Sequence, residues 1–389
     1  MNDNITPYVR YIGADDKDLD LFESQYVVPQ GISYNSYVIT DEKIAVMDTI
    51  DQRKTEEWTA RLEEALEGRT PDYLIVQHME PDHAANIGWF AEKYPEATIV
   101  ASAKAIQMMP QFFEEVNFAG RTQTVKEGDT LCLGQHTLKF IMAPMVHWPE
   151  VMLTYEESEK ILFSADAFGK FGALCHEGEW IDEARRYYFN IVGKYGAQVQ
   201  ALLKKAAGLD IAMICPLHGP VLKENLGYYI GLYDTWSKYE PETEGVVVAY
   251  ASIHGNTAAA ARRMAEILSE KGATEVMLID LCRDDMALAV ESAFRYSKMI
   301  VAASSYDAGV FPPMFEFLHH LQIKNFQKRR VGIIENGSWA PTAGRMMSCM
   351  LSEMKNMGIM EHMVTIKSSM KKADLLQMEE LAEELLATE

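Results

Sequence analysis

The segment QHMEPDHAANI, at positions 77–87, places four potential metal ligands within six positions. His78, Glu80 and Asp82 alternate along the chain, and alternate side chains of an extended backbone point to the same side. Asp82 is also a plausible N-cap for a helix that opens at His83. Imidazole and carboxylate groups are common protein ligands of transition metals. The segment therefore predicts a metal site where a strand gives way to a helix.

Three further candidate ligands stand at or just after the ends of later apolar runs. They are His147 in APMVHWPE, Asp166 in FSADAFG and His218 in CPLHGP. Functional side chains gather in such loops because the strands before them provide a rigid support. With the first segment, the set contains four imidazoles and three carboxylates. That is enough for two metal ions with three terminal ligands each, and the isolated Asp166 is the natural bridge.

A purely structural role is the alternative for each of these residues. A lone histidine near a strand end is usually structural, but four ligand types in six positions are harder to explain in that way. The remaining histidines match no ligand position, and we expect them to be structural or surface residues. They are His136, His176, His319, His320 and His362, while His254 belongs to a loop considered next.

A different chemistry is indicated by the stretch ASIHGNTAAAARRM, which follows the apolar run VVVAY. Hydroxyl and backbone N–H groups between a buried strand and a helix N-terminus can surround a phosphate dianion. The loop lacks the G-x-G-x-x-G of dinucleotide-binding folds, and an ordinary turn is the alternative. The predicted phosphate-loop residues are Ser252, Ile253, His254, Gly255, Asn256 and Thr257.

Two later loops, SSYDAGVFPP (304–313) and ENGSWAPTAG (335–344), contain glycine and one aromatic residue each. Ligands of open parallel sheets bind at the carboxyl ends of the strands, where these loops lie. Either aromatic could stack on a bound ring or simply pack against the protein. The candidate residues are Ser304, Ser305, Tyr306, Asp307, Ala308, Gly309, Asn336, Gly337, Ser338 and Trp339.

The elements that must position the metal ligands are short strands with interspersed helices, over residues 1 to about 240. This pattern favours two sheets covered by helices over one doubly wound sheet. The predicted strands are 33–40, 44–49, 73–78, 98–102, 138–144, 151–156, 161–167 and 211–219, and the predicted helices are 53–66, 83–92, 183–206 and 222–238.

The charged stretch SKYEPETEG (237–245) reads as a linker, and beyond it the pattern becomes a regular alternation of strand and helix. Five apolar strands, each followed by a helix, predict a doubly wound parallel sheet of flavodoxin-like size. The predicted domains are therefore 1–240 and 245–389. The second contains strands 246–250, 276–280, 299–305, 331–336 and 363–369, and helices 256–271, 286–295, 313–322, 344–357 and 371–386.

The composition excludes several functional classes. A net charge of -21 disfavours binding to nucleic acid or to an anionic membrane. No apolar run approaches the roughly 18 residues of a membrane span, and MNDNITPYVR lacks the features of a signal peptide. The five cysteines are scattered without C-x-x-C spacing, which is typical of free thiols in a reducing compartment. We expect a cytoplasmic protein.

The first motif resembles that of the metallo-β-lactamase superfamily, whose zinc hydrolases carry H-x-H-x-D-H where this chain reads H-x-E-x-D-H. A glutamate in place of an imidazole adds a hard oxygen donor and shifts the metal preference from zinc toward iron or manganese. H-x-E-x-D-H followed by a later His, Asp and His is the signature of flavodiiron proteins. The resemblance covers essentially the whole chain and includes SYNSYVI, HWPE, FSADAFG and PLHGP.

This resemblance implies an N-terminal metallo-β-lactamase-like αββα sandwich, a C-terminal flavodoxin-like domain, FMN and two non-haem iron ions. The loop at 252–257 resembles the flavodoxin phosphate loop, which favours FMN over NAD or FAD. Tyr195, in GKYGAQ, resembles a tyrosine near the family's diiron site that could donate a hydrogen bond to bound oxygen species, although a packed aromatic is the alternative. The family pattern would place His78, Glu80 and His147 on one iron and Asp82, His83 and His218 on the other, with Asp166 bridging.

One departure concerns the segment before SYNSY. Some family members carry a further histidine there, whereas this chain reads DLFESQYVVPQG and has none. The resemblance therefore does not predict which residues line that side of the metal pocket.

The implied function is reduction of O2 to water, or of two NO to nitrous oxide and water, with electrons passed through FMN. A head-to-tail homodimer or a dimer of dimers would bring the FMN of one subunit beside the iron of the other. We expect no rubredoxin or flavin reductase extension after the flavodoxin-like half, so the donor would be separate, such as rubredoxin or a reduced deazaflavin. Two alternatives are a zinc hydrolase fused to a flavodoxin, which Glu80 disfavours, and a non-enzymatic electron carrier, which the complete ligand set disfavours.

Overall fold

The computed structural model describes residues 4–176 and 178–387. The chain forms two units, which are described separately. The first comprises Met1–Tyr188 and Ala197–Asp234, and the second comprises Phe189–Gly196 and Thr235–Glu389. The predicted domain limits, 1–240 and 245–389, stay a prediction.

The first unit contains two main sheets. In chain order, strands β1 to β15 are Val9–Tyr11, Ala14–Asp16, Leu21–Phe22, Tyr26–Val27, Ile32–Tyr34, Tyr37–Thr40, Ile44–Met47, Tyr73–Val76, Thr98–Ser102, Thr122–Val125, Thr130–Cys132, Thr137–Met142, Met152–Glu156, Ile161–Phe163 and Met213–Cys215. One sheet has the order β1-β6-β7-β8-β9-β10 and the other the order β11-β12-β13-β14-β15. Two small antiparallel sheets of two strands each are formed by β2 with β5 and by β3 with β4.

The described residues between 52 and 237 also form helices and helical turns. Helices α1 to α7 are Thr55–Leu66, Pro81–Ala84, Ile87–Lys93, Ala103–Phe112, Trp180–Tyr187, Gly196–Ala206 and Leu226–Ser237, with 3-10 turns at Gln52–Lys54 and Gly193–Tyr195 and a π-helical turn at Tyr188–Val192.

The core of the first unit lies between its two sheets. Ile75 and Val100 from the first sheet are buried in one cluster with Phe140 and Phe163 from the second. Helices α1 and α4 contact the first sheet, while α6 and α7 lie with residues of the second sheet around one apolar cavity. The predicted αββα sandwich is confirmed, because each sheet buries one face against the other and carries helices on its outer face.

The second unit contains a parallel sheet of five strands, and one short strand pairs antiparallel with the end of the central strand. Strands β16 to β21 are Thr243–Ala251, Val276–Asp280, Tyr296–Tyr306, Gly309–Val310, Arg330–Asn336 and Gly358–Ile366, and helices α8 to α12 are Asn256–Glu270, Met286–Arg295, Pro312–Ile323, Ala343–Ser352 and Lys372–Leu386. The order β17-β16-β18-β20-β21 is the flavodoxin order 2-1-3-4-5. The predicted flavodoxin-like fold is confirmed.

Several element boundaries differ from the sequence-based prediction. The single helix predicted over 183–206 is interrupted by the π-helical and 3-10 turns. Gly196 explains part of this break, because a Cβ there would lie 2.3 Å from the carbonyl oxygen of Ser237. The helix predicted over 83–92 is two helices, α2 and α3, and begins earlier because Pro81 occupies the first helical position and Glu80 is the N-cap. Asp82 is thus inside the helix rather than its cap.

The prediction also omitted β1 to β4, β10, β11, α4 and the strand at Gly309–Val310. Strand β10 has two exposed residues, and helix α4 contains Pro110, so neither shows a simple apolar period. Across residues 4–176 and 178–387, no helix combines the length and hydropathy that a membrane crossing requires.

Candidate metal centre and cofactor cavity

Four strand ends meet at one edge of the sandwich. Within the second sheet, Met142 of β12 pairs with Met152 of β13, and Phe163 of β14 pairs with Cys215 of β15, so β12, β14 and β15 end side by side. The backbone N–H of Met152 donates to the carbonyl oxygen of Gln77, which follows β8 in the first sheet, at 3.1 Å. The loops after these four strands therefore face a common space.

One candidate metal group in this space consists of His78, Glu80, His147 and Asp166. Glu80 Oε2 lies 3.3 Å from His78 Nε2 and 3.0 Å from His147 Nε2. Asp166 Oδ2 lies 3.2 Å from His78 Nε2 and 3.1 Å from His147 Nε2. Four donor atoms from three different loops thus surround one point.

The second group consists of Asp82, His83 and His218. Asp82 Oδ2 lies 3.3 Å from His83 Nε2 and 3.2 Å from His218 Nε2. The other oxygen of Asp166, Oδ1, lies 3.2 Å from His83 Nε2 and 3.7 Å from His218 Nε2. Asp166 therefore directs one oxygen toward each group, which is the arrangement of a bridging carboxylate.

The donor set fits two metal ions. Two atoms bound at right angles, each about 2.1 Å from one ion, lie about 3 Å apart, and the separations above cluster near that value. The two oxygens of Asp82 and of Asp166 are buried and have no hydrogen-bond partner. Buried carboxylate oxygens without a partner are costly in a folded protein. Iron ions held between them would provide the missing counter-charge.

The charges of the site favour ionised carboxylates. Burial alone would raise the pKa of Asp166, but His78 and His147 lower it well below its usual range. Burial would likewise lower the pKa of His147, but Asp166 and Glu80 raise it to about 9. Because imidazole must be neutral to bind a metal, iron competes with protons here, and metal binding releases them.

Two of the imidazoles are oriented by a hydrogen bond at Nδ1, the ring nitrogen that faces away from the metal groups. His78 Nδ1 donates to Glu150 Oε1 at 2.8 Å, and the same oxygen accepts the backbone N–H of Met79 at 2.9 Å. His218 Nδ1 donates to the carbonyl oxygen of Ser33 at 2.7 Å. These bonds leave the Nε2 lone pairs for a metal. The sequence analysis did not identify Glu150, although the glutamate of the motif HWPE is the available signal.

We expect Glu150→Gln to weaken metal binding while leaving the flavin bound. The amide keeps the volume but loses the charge that holds His78 and raises its basicity, and loss of such a partner typically lowers metal affinity about 10- to 100-fold. Iron retention during dialysis against a graded series of chelator concentrations measures the change. Glu157→Gln is the matched control, because Glu157 is exposed in the same unit. Unchanged iron affinity in Glu150→Gln would contradict the positioning role.

The segment DLFESQYVVPQG forms the hairpin β3–β4 and lies beside the metal groups. The ring of Phe22 stands edge-on to His218 at 5.4 Å between centroids. Desolvation, and then the charge of Glu80, raise the pKa of the neighbouring Glu23 to about 7, while Gln25 and His147 oppose the shift. A phenylalanine and a glutamate thus lie on the side where the sequence analysis left the lining open.

Trp148, which follows the ligand His147, and Tyr195 occupy different positions relative to the metal groups. Trp148 is half-buried, and its ring stands edge-on to His78 at 5.4 Å. Tyr195 ends the 3-10 turn Gly193–Tyr195 and belongs to the second unit, whereas both ligand groups belong to the first. The catalytic role of Tyr195 stays a prediction.

The second unit contains a cavity of about 540 Å³ at the carboxyl ends of its parallel strands. This volume is within the range of cofactor sites, which is about 300–1,000 Å³. All the predicted flavin-loop residues line it except Gly255, which is the N-cap of α8, and Gly309, which lies in β19. Three lining residues were not predicted: Ala340, Thr342 and Ser368.

Hydrogen bonds connect the three loops around the cavity. Thr257 Oγ1 and Ser304 Oγ are 2.8 Å apart, and Ser305 Oγ accepts the backbone N–H of Thr342 at 2.8 Å. Helix α8, of 15 residues, directs its N-terminus at the loop, which suits a phosphate. Trp339 is 90% exposed, which leaves its ring free to cover a planar ligand. The arrangement fits FMN, with its phosphate at the α8 end and its ring between the aromatic loops.

Comparisons with known proteins agree with this geometry. Residues 32–219 match the family model described as ODP family beta lactamase. An uncharacterised protein of Methanocaldococcus jannaschii is 31% identical over 319 residues, covering 80% of each chain. The anaerobic nitric oxide reductase flavorubredoxin of Aliivibrio fischeri is 29% identical over 353 residues, covering 87% of this chain and 70% of that protein.

Two solved structures resemble the whole chain. Rubredoxin oxygen:oxidoreductase from Desulfovibrio gigas is 26% identical with a TM-score of 0.91, covering 98% of this chain and 97% of that one. The flavodiiron protein from Giardia intestinalis is 25% identical with a TM-score of 0.92, covering 99% and 96% of the two chains. With its paired ligand groups and its flavin-sized cavity, the chain belongs to the flavodiiron protein family.

Proposed function

We propose that the protein reduces O2 to water, NO to nitrous oxide, or both, at a non-haem diiron site supplied with electrons through FMN. The observation that carries the proposal is the carboxylate of Asp166, whose two oxygens lie between two complete ligand groups. The protein is an oxidoreductase with FMN and a diiron centre as its cofactors. When bound, FMN accepts and passes on electrons, and the paired iron ions bind and reduce a diatomic gas.

The residues of this chain hold and orient those groups. His78, Glu80 and His147 would hold one iron, and Asp82, His83 and His218 the other, with Asp166 shared. Glu150 and the Ser33 carbonyl fix the tautomers of His78 and His218. Phe22 and Tyr187 surround His218 with apolar rings, which limits the access of water to that side.

The electron donor is an external partner, and we propose rubredoxin or a reduced deazaflavin. We also propose a head-to-tail homodimer, alone or paired as a dimer of dimers, that brings the FMN of one subunit beside the iron of another. A cytoplasmic location fits the acidic composition and the scattered free cysteines.

Anaerobic stopped-flow spectroscopy tests the function. The protein is reduced through its flavin and mixed separately with O2 and with NO, and the reoxidation rates rank the two substrates. We expect at least one gas to reoxidise the protein with turnover, and metal analysis to find iron. Zinc in the purified protein, with no reoxidation by either gas, would instead favour the hydrolase alternative.

A further inference from the structure

An apolar cavity of about 370 Å³ lies on the outer side of the second sheet in the first unit. Leu153, Leu162 and Ile214 of β13, β14 and β15 line one side, and Leu202 of α6 and Ile230 of α7 line the other. Such a lining offers few hydrogen bonds to water and instead favours small apolar solutes. Neither proposed cofactor is assigned to this cavity.

The inner end of the cavity is formed by residues adjacent in the chain to two proposed iron ligands. Val146 precedes His147, and Ala167 follows Asp166. Val146 and Ala167 are both buried, so this end is closed to solvent. A molecule held at this end would contact residues that are next in the chain to the bridging carboxylate and to one iron ligand.

Phe168 and Tyr233 form the wall beside that inner end. Their rings stack at 4.3 Å between centroids, and the backbone N–H of Phe168 donates to the Tyr233 hydroxyl at 2.6 Å. Phe168 lies two positions after Asp166 in the chain, so this wall is continuous with the loop that carries the bridging carboxylate.

The outer end reaches the surface. Ala207, Asp210 and Gly227 line the cavity and are exposed, so this end opens between the end of α6 and the start of α7. One continuous space thus begins at solvent and ends against the residues that flank His147 and Asp166. A polar substrate would lose its hydration on entering, whereas a neutral diatomic gas would not.

We propose that this cavity is the entry and holding site for the gaseous substrate of the diiron centre, O2 or NO. The proposal rests on the proposed function, since it requires a gas to be consumed at the metal groups. A hydrophobic side chain of another protein could also occupy an apolar groove, and the experiment separates that occupant from a gas.

Xenon and two glycine variants test the proposal. Apolar cavities of this kind bind xenon, so crystals of the protein under xenon pressure should show a xenon atom between Leu202 and Ile230. Gly227→Phe adds a ring at the mouth of the cavity, where Gly227 is exposed and a Cβ has open space around it. We expect this variant to lose the xenon atom and to show a severalfold lower kcat/KM for the gas, with unchanged iron and FMN content and unchanged flavin reduction.

Gly231→Phe is the matched control. Gly231 lies one turn further along α7, is exposed, also has open space around a Cβ, and is not among the lining residues. Replacing a helical glycine does not reduce helix propensity at either position. The control should keep both the xenon atom and the rate. Ile230→Trp fills the cavity from a lining side chain and should repeat the result of Gly227→Phe.

Three outcomes would overturn the proposal. They are absence of xenon from the unmodified cavity, an unchanged kcat/KM in variants that have lost xenon, and a defect confined to the KM for the electron donor or to the oligomeric state. The last result would assign the groove to a protein partner. If the unmodified protein reacts with neither gas, the proposed function is contradicted as well. If the unmodified protein is active and only the cavity variants react slowly, the result concerns the cavity alone.

Discussion

Asp166→Ala is expected to remove at least one iron ion per chain and to abolish reduction of O2 and NO, while FMN stays bound. One carboxylate oxygen of Asp166 lies 3.2 Å from His78 Nε2 in the first ligand group, and the other lies 3.2 Å from His83 Nε2 in the second. Alanine leaves both groups one donor short and removes the negative charge that offsets two metal cations. Metal analysis, flavin absorbance and stopped-flow reoxidation by gas measure the three effects together.

Asp182→Ala is the matched control for this substitution. Asp182 is in the same unit, its side chain is 69% exposed, and it pairs with Arg185 three residues later on α5. Asp182 belongs to neither ligand group, so iron content and activity should not change. Full iron occupancy and normal turnover in Asp166→Ala would refute the bridging role.

Gly255→Val is expected to lower the affinity for FMN without changing the iron content. Gly255 has a φ of 90° at the start of α8, and a β-branched residue is strongly disfavoured in that region. The free loop would relax to another conformation, and FMN binding would have to restore the strained one. A left-handed L-residue costs about 1–2 kcal/mol, which corresponds to roughly a 5- to 30-fold weaker affinity. Titration of the apoprotein with FMN, followed by flavin fluorescence, measures it.

Gly272→Val is the control that introduces the same backbone strain away from the FMN cavity. Gly272 also has a φ of 90° and open space around a Cβ, but it follows the opposite end of the same helix. The control should lose a similar amount of stability in thermal unfolding and bind FMN normally. Equal FMN affinity in Gly255→Val and the parent would show that the loop conformation at Gly255 does not matter for the phosphate.

The metal-ligand residues were predictable because ligand-type side chains follow directly after apolar strands. Apolar runs such as YLIVQH and ILFSADA predict buried strands, and the loops that follow them carry the polar residues. The sequence also predicted Asp166 as the shared donor, but it could not predict how its two oxygens are directed. The separate directions of the two Asp166 oxygens depend on how two sheets pack, which no local pattern encodes.

Other features depended on tertiary contacts in the same way. The break at Gly196 reflects the close approach of Ser237, which is 41 positions away in the numbering of the chain. Ser368 reaches the flavin cavity from the loop after β21, where its backbone N–H donates to Asn336 Oδ1. Its sequence context MVTIKSS contains no glycine-rich loop signal. Glu150 orients a histidine 72 residues away, so only the fold identifies its partner.

The hydrogen-bond acceptors of His78 Nδ1 and His218 Nδ1 differ in charge. His78 Nδ1 is bonded to the carboxylate of Glu150, whereas His218 Nδ1 is bonded to the neutral backbone carbonyl of Ser33. An anionic acceptor makes an imidazole a stronger electron donor than a neutral one does. The ion held by His78 should therefore be stabilised more in its higher oxidation state than its neighbour, so that two chemically similar positions differ in reduction potential.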